Sequence, residues 1–217
     1  MVAIHKAETQ RKTHWQTHHY GWLQRTIDDC SGSLKVNLGL WLRQLKSLDD
    51  ILAAYDEEVE ALALTERYRE PVTALTCYKG IKHLFASTMI TEIGDVKRFA
   101  HPRQLTSWMG MDIREYASGG KSNRLDITRQ GNRYLRTAFV EANQRGYRTT
   151  KLSKDIRARR ANTKPEYIAI ADRCLGRMSK KGNRLLLAGK HPNKVKMACA
   201  REMVGFVGES LNPAAVA

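Results

Sequence analysis

Apolar side chains return on a seven-residue frame between Leu38 and Leu62. Leu38, Leu45, Leu52 and Val59 fill one core position and Trp41, Leu48, Tyr55 and Leu62 the other. Four heptads uninterrupted by proline predict a long amphipathic helix, because a 3.5-residue repeat keeps both positions on one helical stripe. The positions around the stripe hold Asp49, Asp50, Asp56, Glu57, Glu58 and Glu60. That acidic face suits pairing with another helix, in the same chain or a second copy, rather than lying on DNA. Glu70 and Pro71 close the region, so residues 34–70 form the heptad element, for dimerisation or bundle packing.

Beyond it, Val72 to Met109 predicts two or three short helices around turns at Gly80 and Gly94, with apolar faces from Leu75, Ile81, Leu84, Phe85, Met89, Ile90 and Ile93. Between Trp108 and Asn132 the periodicity gives way to Gly110, Gly119, Gly120, Gly131 and scattered polar residues, a glycine-rich loop with a short hairpin at Arg124 to Ile127. Helix resumes at Arg133 to Arg148, and two more helices are expected at Tyr167 to Met178 and Lys194 to Val207. Gly131-Asn132 and Gly182-Asn183 each precede a basic, apolar run, a local echo of one capping solution rather than a repeat. The fold class is mainly α: a long heptad helix followed by a basic multi-helix domain.

Composition narrows this picture. A chain of 217 residues with 42% apolar and 7% aromatic side chains builds a real core but not a many-stranded sandwich. No apolar run approaches the roughly 18 residues of a membrane span, and the opening MVAIHKAET has no secretory pattern, so no membrane partner and a cytoplasmic location are expected. Cys30, Cys77, Cys174 and Cys199 form no CxxC pair and suit reduced, ordinary small hydrophobes. His14 and His18 share a helical spacing, but only the distant Cys30 follows, too few ligands for zinc.

Charge changes the picture more. Residues 1–70 hold nine basic and eleven acidic side chains, whereas residues 71–217 hold 28 and 11, a net of +17. A generally basic surface explains the sign but not the segregation, which points to a nucleic-acid-binding part and an acidic part with another task.

The candidate chemistry lies in Arg114-Glu115-Tyr116-Ala117-Ser118-Gly119-Gly120-Lys121-Ser122-Asn123-Arg124. Ser118 precedes two glycines that permit close backbone approach to a ligand, with Lys121 and Arg124 supplying charge beside the hydroxyl. A phosphate-binding GxxxxGKS loop is excluded, since its first glycine falls on Glu115. Serine attack on a phosphodiester requires cations or a metal to stabilise the pentavalent phosphorus, and Arg124, Arg129, Arg133 and Arg136 lie close in sequence. Spacing alone leaves a plain turn as the commoner reading.

A family resemblance sharpens that reading. Gly80-Ile81, Glu92-Ile93-Gly94-Asp95, Arg98-Phe99, Leu105, Trp108-Met109-Gly110-Met111, Glu115 to Lys121, Ile127 to Asn132 and Leu135-Arg136 follow the order of the transposase domain in the DEDD insertion-sequence transposases. Gly189-Lys190, Asn193 and Ala200-Arg201-Glu202-Met203 resemble that family's C-terminal pattern, and His14 to Leu23 resembles the segment joining its two domains. The resemblance divides the chain into a linker-like basic and aromatic segment at 1–33, the heptad helix at 34–70 and the C-terminal transposase domain at 71–217. It implies transposition by bridge-RNA-guided serine recombination, with Ser118 as nucleophile. The partners it implies are duplex DNA, a structured guide RNA and a homo-oligomer, at the bacterial nucleoid.

The same resemblance implies an amino-terminal resolvase-like domain whose acidic residues hold magnesium; this chain starts where that domain would end, so no cofactor is expected on it. The turn Lys79-Gly80-Ile81-Lys82 resembles a helix-hairpin-helix that contacts phosphate, with Lys82 replacing the second glycine. The nucleic-acid-binding set is then Lys79, Gly80, Lys82, Lys121, Arg124, Arg129, Asn132, Arg133 and Arg136. Ala117 stands where many members have a second serine, and Ile113 where they have proline, a change expected to relax the loop holding Ser118. The alternative reading is a non-catalytic nucleic-acid-binding protein, a truncated remnant of a transposase.

Overall fold

A computed structural model describes residues 15–118, 121–144 and 146–212, with the side chains of 116–118 and 121–124 outside the description. The chain divides into two compact units, Met1–Glu58 and Val59–Ala217. The architecture is mainly helical, with one two-stranded sheet among the described residues.

In the first unit, α1 (Thr17–Asp28) is joined by hydrogen bonds to α2 (Gly32–Ala63), which continues past Glu58. Tyr20 donates its hydroxyl proton to Asp49, and Lys35 Nζ donates to the Asp28 carbonyl at 3.0 Å. Ile27 and Leu42 are buried. The segment expected to be a linker therefore contains a helix, its last turn anchored by α2.

The heptad stripe largely stays uncovered: Trp41 is 69% exposed, Tyr55 66% and Leu52 61%. The helix stops at Ala63 rather than at Glu70, with Thr65 extended and its hydroxyl bonded to the Leu62 carbonyl at 2.7 Å. Pro71 lies inside α3 (Glu66–Thr76). An interior proline costs roughly 3 kcal/mol, and burial of Val72, Ala74 and Leu75 at about 1.5–3 kcal/mol per large side chain offsets it.

The second unit is organised around α9 (Pro192–Leu211). Val195, Cys199, Ala200, Met203, Val204 and Val207 are fully buried, and no residue from Val195 to Asn212 is exposed. Around it pack α3, α5 (Pro102–Trp108), α6 (Arg133–Ala142) and α8 (Pro165–Leu187). Helix α4 (His83–Ile93) joins through α3 and α6, and α7 (Lys154–Arg160) through α3. Tyr78 is buried with its hydroxyl 2.8 Å from the Phe206 carbonyl and 2.6 Å from Ser210 Oγ. Cys77, Cys174 and Cys199 are free, buried hydrophobes; burial pushes the Cys77 and Cys199 thiols up to about 11.

Three expectations move. The loop between Trp108 and Asn132 contains a longer hairpin than Arg124 to Ile127, with β1 (Ile113–Ser118) antiparallel to β2 (Lys121–Ile127). The helix from Arg133 ends at Ala142, and Gly146–Arg148 forms a short 3-10 turn. Gly131-Asn132 does start a helix, but Gly182-Asn183 lies inside α8, where Gly182 accommodates the buried Tyr147 ring; a Cβ there would come 2.5 Å from the ring.

Gly110 (φ +69°) and Gly131 (φ +138°) press together at the foot of the hairpin; a Cβ on Gly131 would fall 2.2 Å from the Trp108 carbonyl oxygen. Gly189 (φ +70°) ends α8 differently. Its N–H bonds Leu186 and that of Lys190 bonds Leu185, with open space where a Cβ would go. Gly189→Ala should therefore cost about 1–2 kcal/mol, the left-handed penalty alone. Gly131→Ala should cost on the order of 3 kcal/mol or more, since backbone must also move. Denaturant unfolding of the two variants measures the difference; equal destabilisation would mean the close approach carries no weight.

Candidate nucleic-acid interface

The hairpin carries the candidate chemistry at its far end. Ser118 closes β1 opposite Lys121, the first residue of β2, and Arg124 pairs in register with Glu115. Ser118, Lys121 and Arg124 thus share one short ribbon, with Gly119 and Gly120 between the strands outside the described residues. Ile113, in place of the expected proline, pairs with Ile127 at the start of the ladder, with a register irregularity before Glu115.

Four polar contacts lock the foot of this ribbon. Thr128 N–H donates to the Asp112 carbonyl at 2.8 Å, Arg129 N–H to Gly110 at 3.0 Å and Asn132 N–H to Trp108 at 3.1 Å. Arg136 Nη1 donates to the Met109 carbonyl at 2.7 Å. Arg129 has φ +58°, a left-handed conformation for a residue with a side chain, and that side chain is exposed. Asn132 caps α6, accepting the Leu135 N–H at 3.0 Å, while its amide donates to Glu92 at 2.5 Å.

The second predicted cluster is built around the turn joining α3 and α4. Gly80 (φ +94°) lies against the end of α6, where a Cβ would strike the Ala142 carbonyl oxygen at 2.0 Å. Arg159 Nη1 donates to the Thr76 and Ile81 carbonyls at 2.6 and 2.7 Å, and Arg160 Nε to Cys77 at 2.9 Å. Arg160 is buried, and Asp172 accepts from its Nη1 at 2.7 Å. Lys79 Nζ donates to the Thr149 carbonyl at 2.6 Å, and partial burial lowers its pKa.

The predicted residues consequently fall into two groups. Lys82, Arg129 and Arg133 are exposed, with Arg133 5.9 Å from the Tyr134 ring centroid. Lys79, Asn132 and Arg136 hold protein groups. Sequence reading did not find the structural roles of Arg159 and Arg160, because a cation bonded to backbone carbonyls has the same letter as one facing solvent. It also missed a stack beside the foot: Arg98 lies 4.5 Å from the Phe99 centroid and 4.4 Å from that of Trp108. The adjacency of Arg98 and Phe99 was visible, whereas Trp108 is some distance further along the chain.

Among the described residues no group of three or more His, Cys, Asp or Glu side chains could hold a metal ion. His18 lies in α1, and His14 is outside the described residues. No described helix is long and apolar enough to cross a membrane.

Part of the chain is similar to known proteins. Residues 72–157, which include both clusters, match the Transposase IS116/IS110/IS902 family. A Sinorhizobium fredii protein bearing a transposase name, y4qE, is 32% identical over 63% of this chain. The transposase for insertion sequence element IS1111A of Coxiella burnetii is 30% identical over 45%, and that for IS1533 of Leptospira borgpetersenii 27% identical over 77%. The matches cover 35%, 26% and 49% of those relatives' own lengths, so this chain corresponds to part of each.

Arg136→Met should lower stability by about 1–3 kcal/mol, since it strands the Met109 carbonyl and loosens the foot. Lys82→Met should change stability by less than about 0.5 kcal/mol. Thermal unfolding compares them directly; an unaffected Arg136→Met would show that the foot is held without that bond.

Proposed function

We propose that the chain is the DNA-handling part of an insertion-sequence transposase, and that Ser118 is its nucleophile in phosphodiester cleavage and strand transfer. The observation that carries the reading is the hairpin. It holds Ser118 and Lys121 at paired positions, on a foot fixed by Gly110 and Gly131, within the stretch similar to the transposase family. A nucleophile needs such fixing, because misplacement by about 1 Å costs roughly 100-fold in rate. In the step, a bond forms from Ser118 Oγ to phosphorus and one phosphorus–sugar oxygen bond breaks. The hydroxyl proton goes to a base, and the released sugar oxygen takes up a proton.

In this reading Lys82, Lys121, Arg124, Arg129 and Arg133 meet phosphates of duplex DNA or a structured guide RNA. Lys79, Gly80, Asn132 and Arg136 shape the surface that presents them. Magnesium is assigned to a resolvase-like domain, in cis or in trans, since the described acidic residues form no cluster fit for it. The setting is the bacterial cytoplasm, at the nucleoid. The exposed stripe of α2 supports self-association. Its first half carries Lys35, Arg43 and Lys46 and its second half six acidic residues, so two antiparallel copies would set opposite charges side by side.

With a competent resolvase-like partner, guide RNA and a trapped substrate, the wild-type chain should form a covalent phosphoserine adduct. Ser118→Ala should abolish the adduct while leaving binding nearly unchanged. An adduct that survives Ser118→Ala and disappears in Tyr116→Phe would assign the nucleophile to Tyr116, and none in a proven system would favour the non-catalytic alternative.

Leu45→Asp with Leu52→Asp should dissociate any oligomer, since charge enters two core positions. Light scattering of the unmodified chain as a monomer at high concentration would remove α2 as an association element.

A further inference from the structure

Helix α8 carries Arg173, Arg177, Lys180, Lys181 and Arg184 at spacings of four, three, one and three. At about 100° per residue these five cations fall within one side of the helix and span roughly 16 Å. The side chains do not all point freely into solvent. Glu202 on α9 accepts from Lys181 and pairs with Arg177 at 2.6 Å, and Glu209 pairs with Arg173. Burial raises the pKa of Glu202, yet the two cations outweigh it and hold the carboxyl below its ordinary value. Lys180 and Arg184 are exposed, and among the described residues no carboxylate pairs with either. Five cations thus meet two carboxylates, and the excess faces outward.

The stripe lies between two grooves. All five cations line one of them, with Asp172 and Glu202, and Arg177 and Lys181 also line a second, together with Ala198 and Gly205 of α9 and Arg103 of α5. The second groove reaches Asp112, which leads into β1 and lies 3.7 Å from Arg201. Through Arg177 and Lys181 the stripe thus borders the groove that ends beside the foot of the hairpin.

We infer that this α8 stripe is a second phosphate-binding surface, which holds the backbone of duplex DNA flanking the site at the hairpin. Cations that touch backbone, Lys180 and Arg184 foremost, supply affinity without reading sequence. The stripe contains no aromatic side chain on which unpaired bases could stack, which favours a duplex over a single strand. The inference rests on the transposase reading for its choice of DNA.

The test is fluorescence anisotropy of the full chain with a labelled duplex of arbitrary sequence, titrated at several salt concentrations. Lys180→Gln with Arg184→Gln should weaken binding about tenfold at moderate salt. It should also flatten the slope of log affinity against log salt by roughly two, one for each phosphate that is no longer neutralised. A charge-matched control at two other exposed lysines, Lys151→Gln with Lys154→Gln, should leave that slope unchanged. An unaltered slope in the α8 variant, or an equal change in the control, overturns the inference. If Lys82→Gln, Arg129→Gln and Arg133→Gln together weaken binding while the α8 variant does not, the transposase reading stands and this surface falls. If wild-type chain binds no duplex, the reading it rests on fails too. Should the α8 variant lose affinity for a folded RNA hairpin but not for duplex DNA, the occupant is RNA and the assignment to DNA is wrong.

Discussion

Helix α9 has no side that water reaches freely between Val195 and Asn212, and the rest of the second unit follows from covering it. The apolar positions Val195, Cys199, Ala200, Met203, Val204 and Val207 are stable only when covered, and four other helices pack on this one. Ala198, Gly205 and Gly208 keep its diameter small, so neighbours approach closely. The polar groups that enter this layer find partners, as where Tyr78 meets Phe206 and Ser210.

On that platform the foot of the hairpin is firmly held. Its foot is a contact between backbones, Gly110 against Gln130 and Gly131 against Trp108, closer than any side chain would allow. Backbone hydrogen bonds and the Arg136 guanidinium fasten the contact, and Asn132 ties it to α6 and to Glu92.

Positive charge in this chain does two jobs that net charge cannot separate. Arg159, Arg160, Arg136 and Lys79 donate to main-chain carbonyls and act as caps and struts. Lys82, Arg129, Arg133, Lys180 and Arg184 face outward. Guanidinium suits the first task, because its planar fork reaches two carbonyls at once, as Arg159 does with Thr76 and Ile81. Glu202 shows a third use of charge, in which one carboxylate fixes two cations in place.

Periodicity and composition by themselves determined that the chain is mainly helical, that a long heptad helix precedes a basic region, and that the glycine-rich stretch around Ser118 departs from helix. These are local properties: a 3.5-residue repeat and a run of glycines act on neighbouring residues. The full length of the hairpin escaped, since strand pairing from Ile113 to Ile127 depends on register across the turn rather than on a single alternating run. The end of α2 at Ala63 and the helical setting of Pro71 escaped as well, because burial of the residues after the proline outweighed its local preference. Which cations hold the fold and which face outward was decided by tertiary structure alone. A guanidinium chooses between carbonyl and solvent by what lies within about 3 Å of it, and for Arg159 those carbonyls belong to residues 78 and 83 positions earlier in the chain.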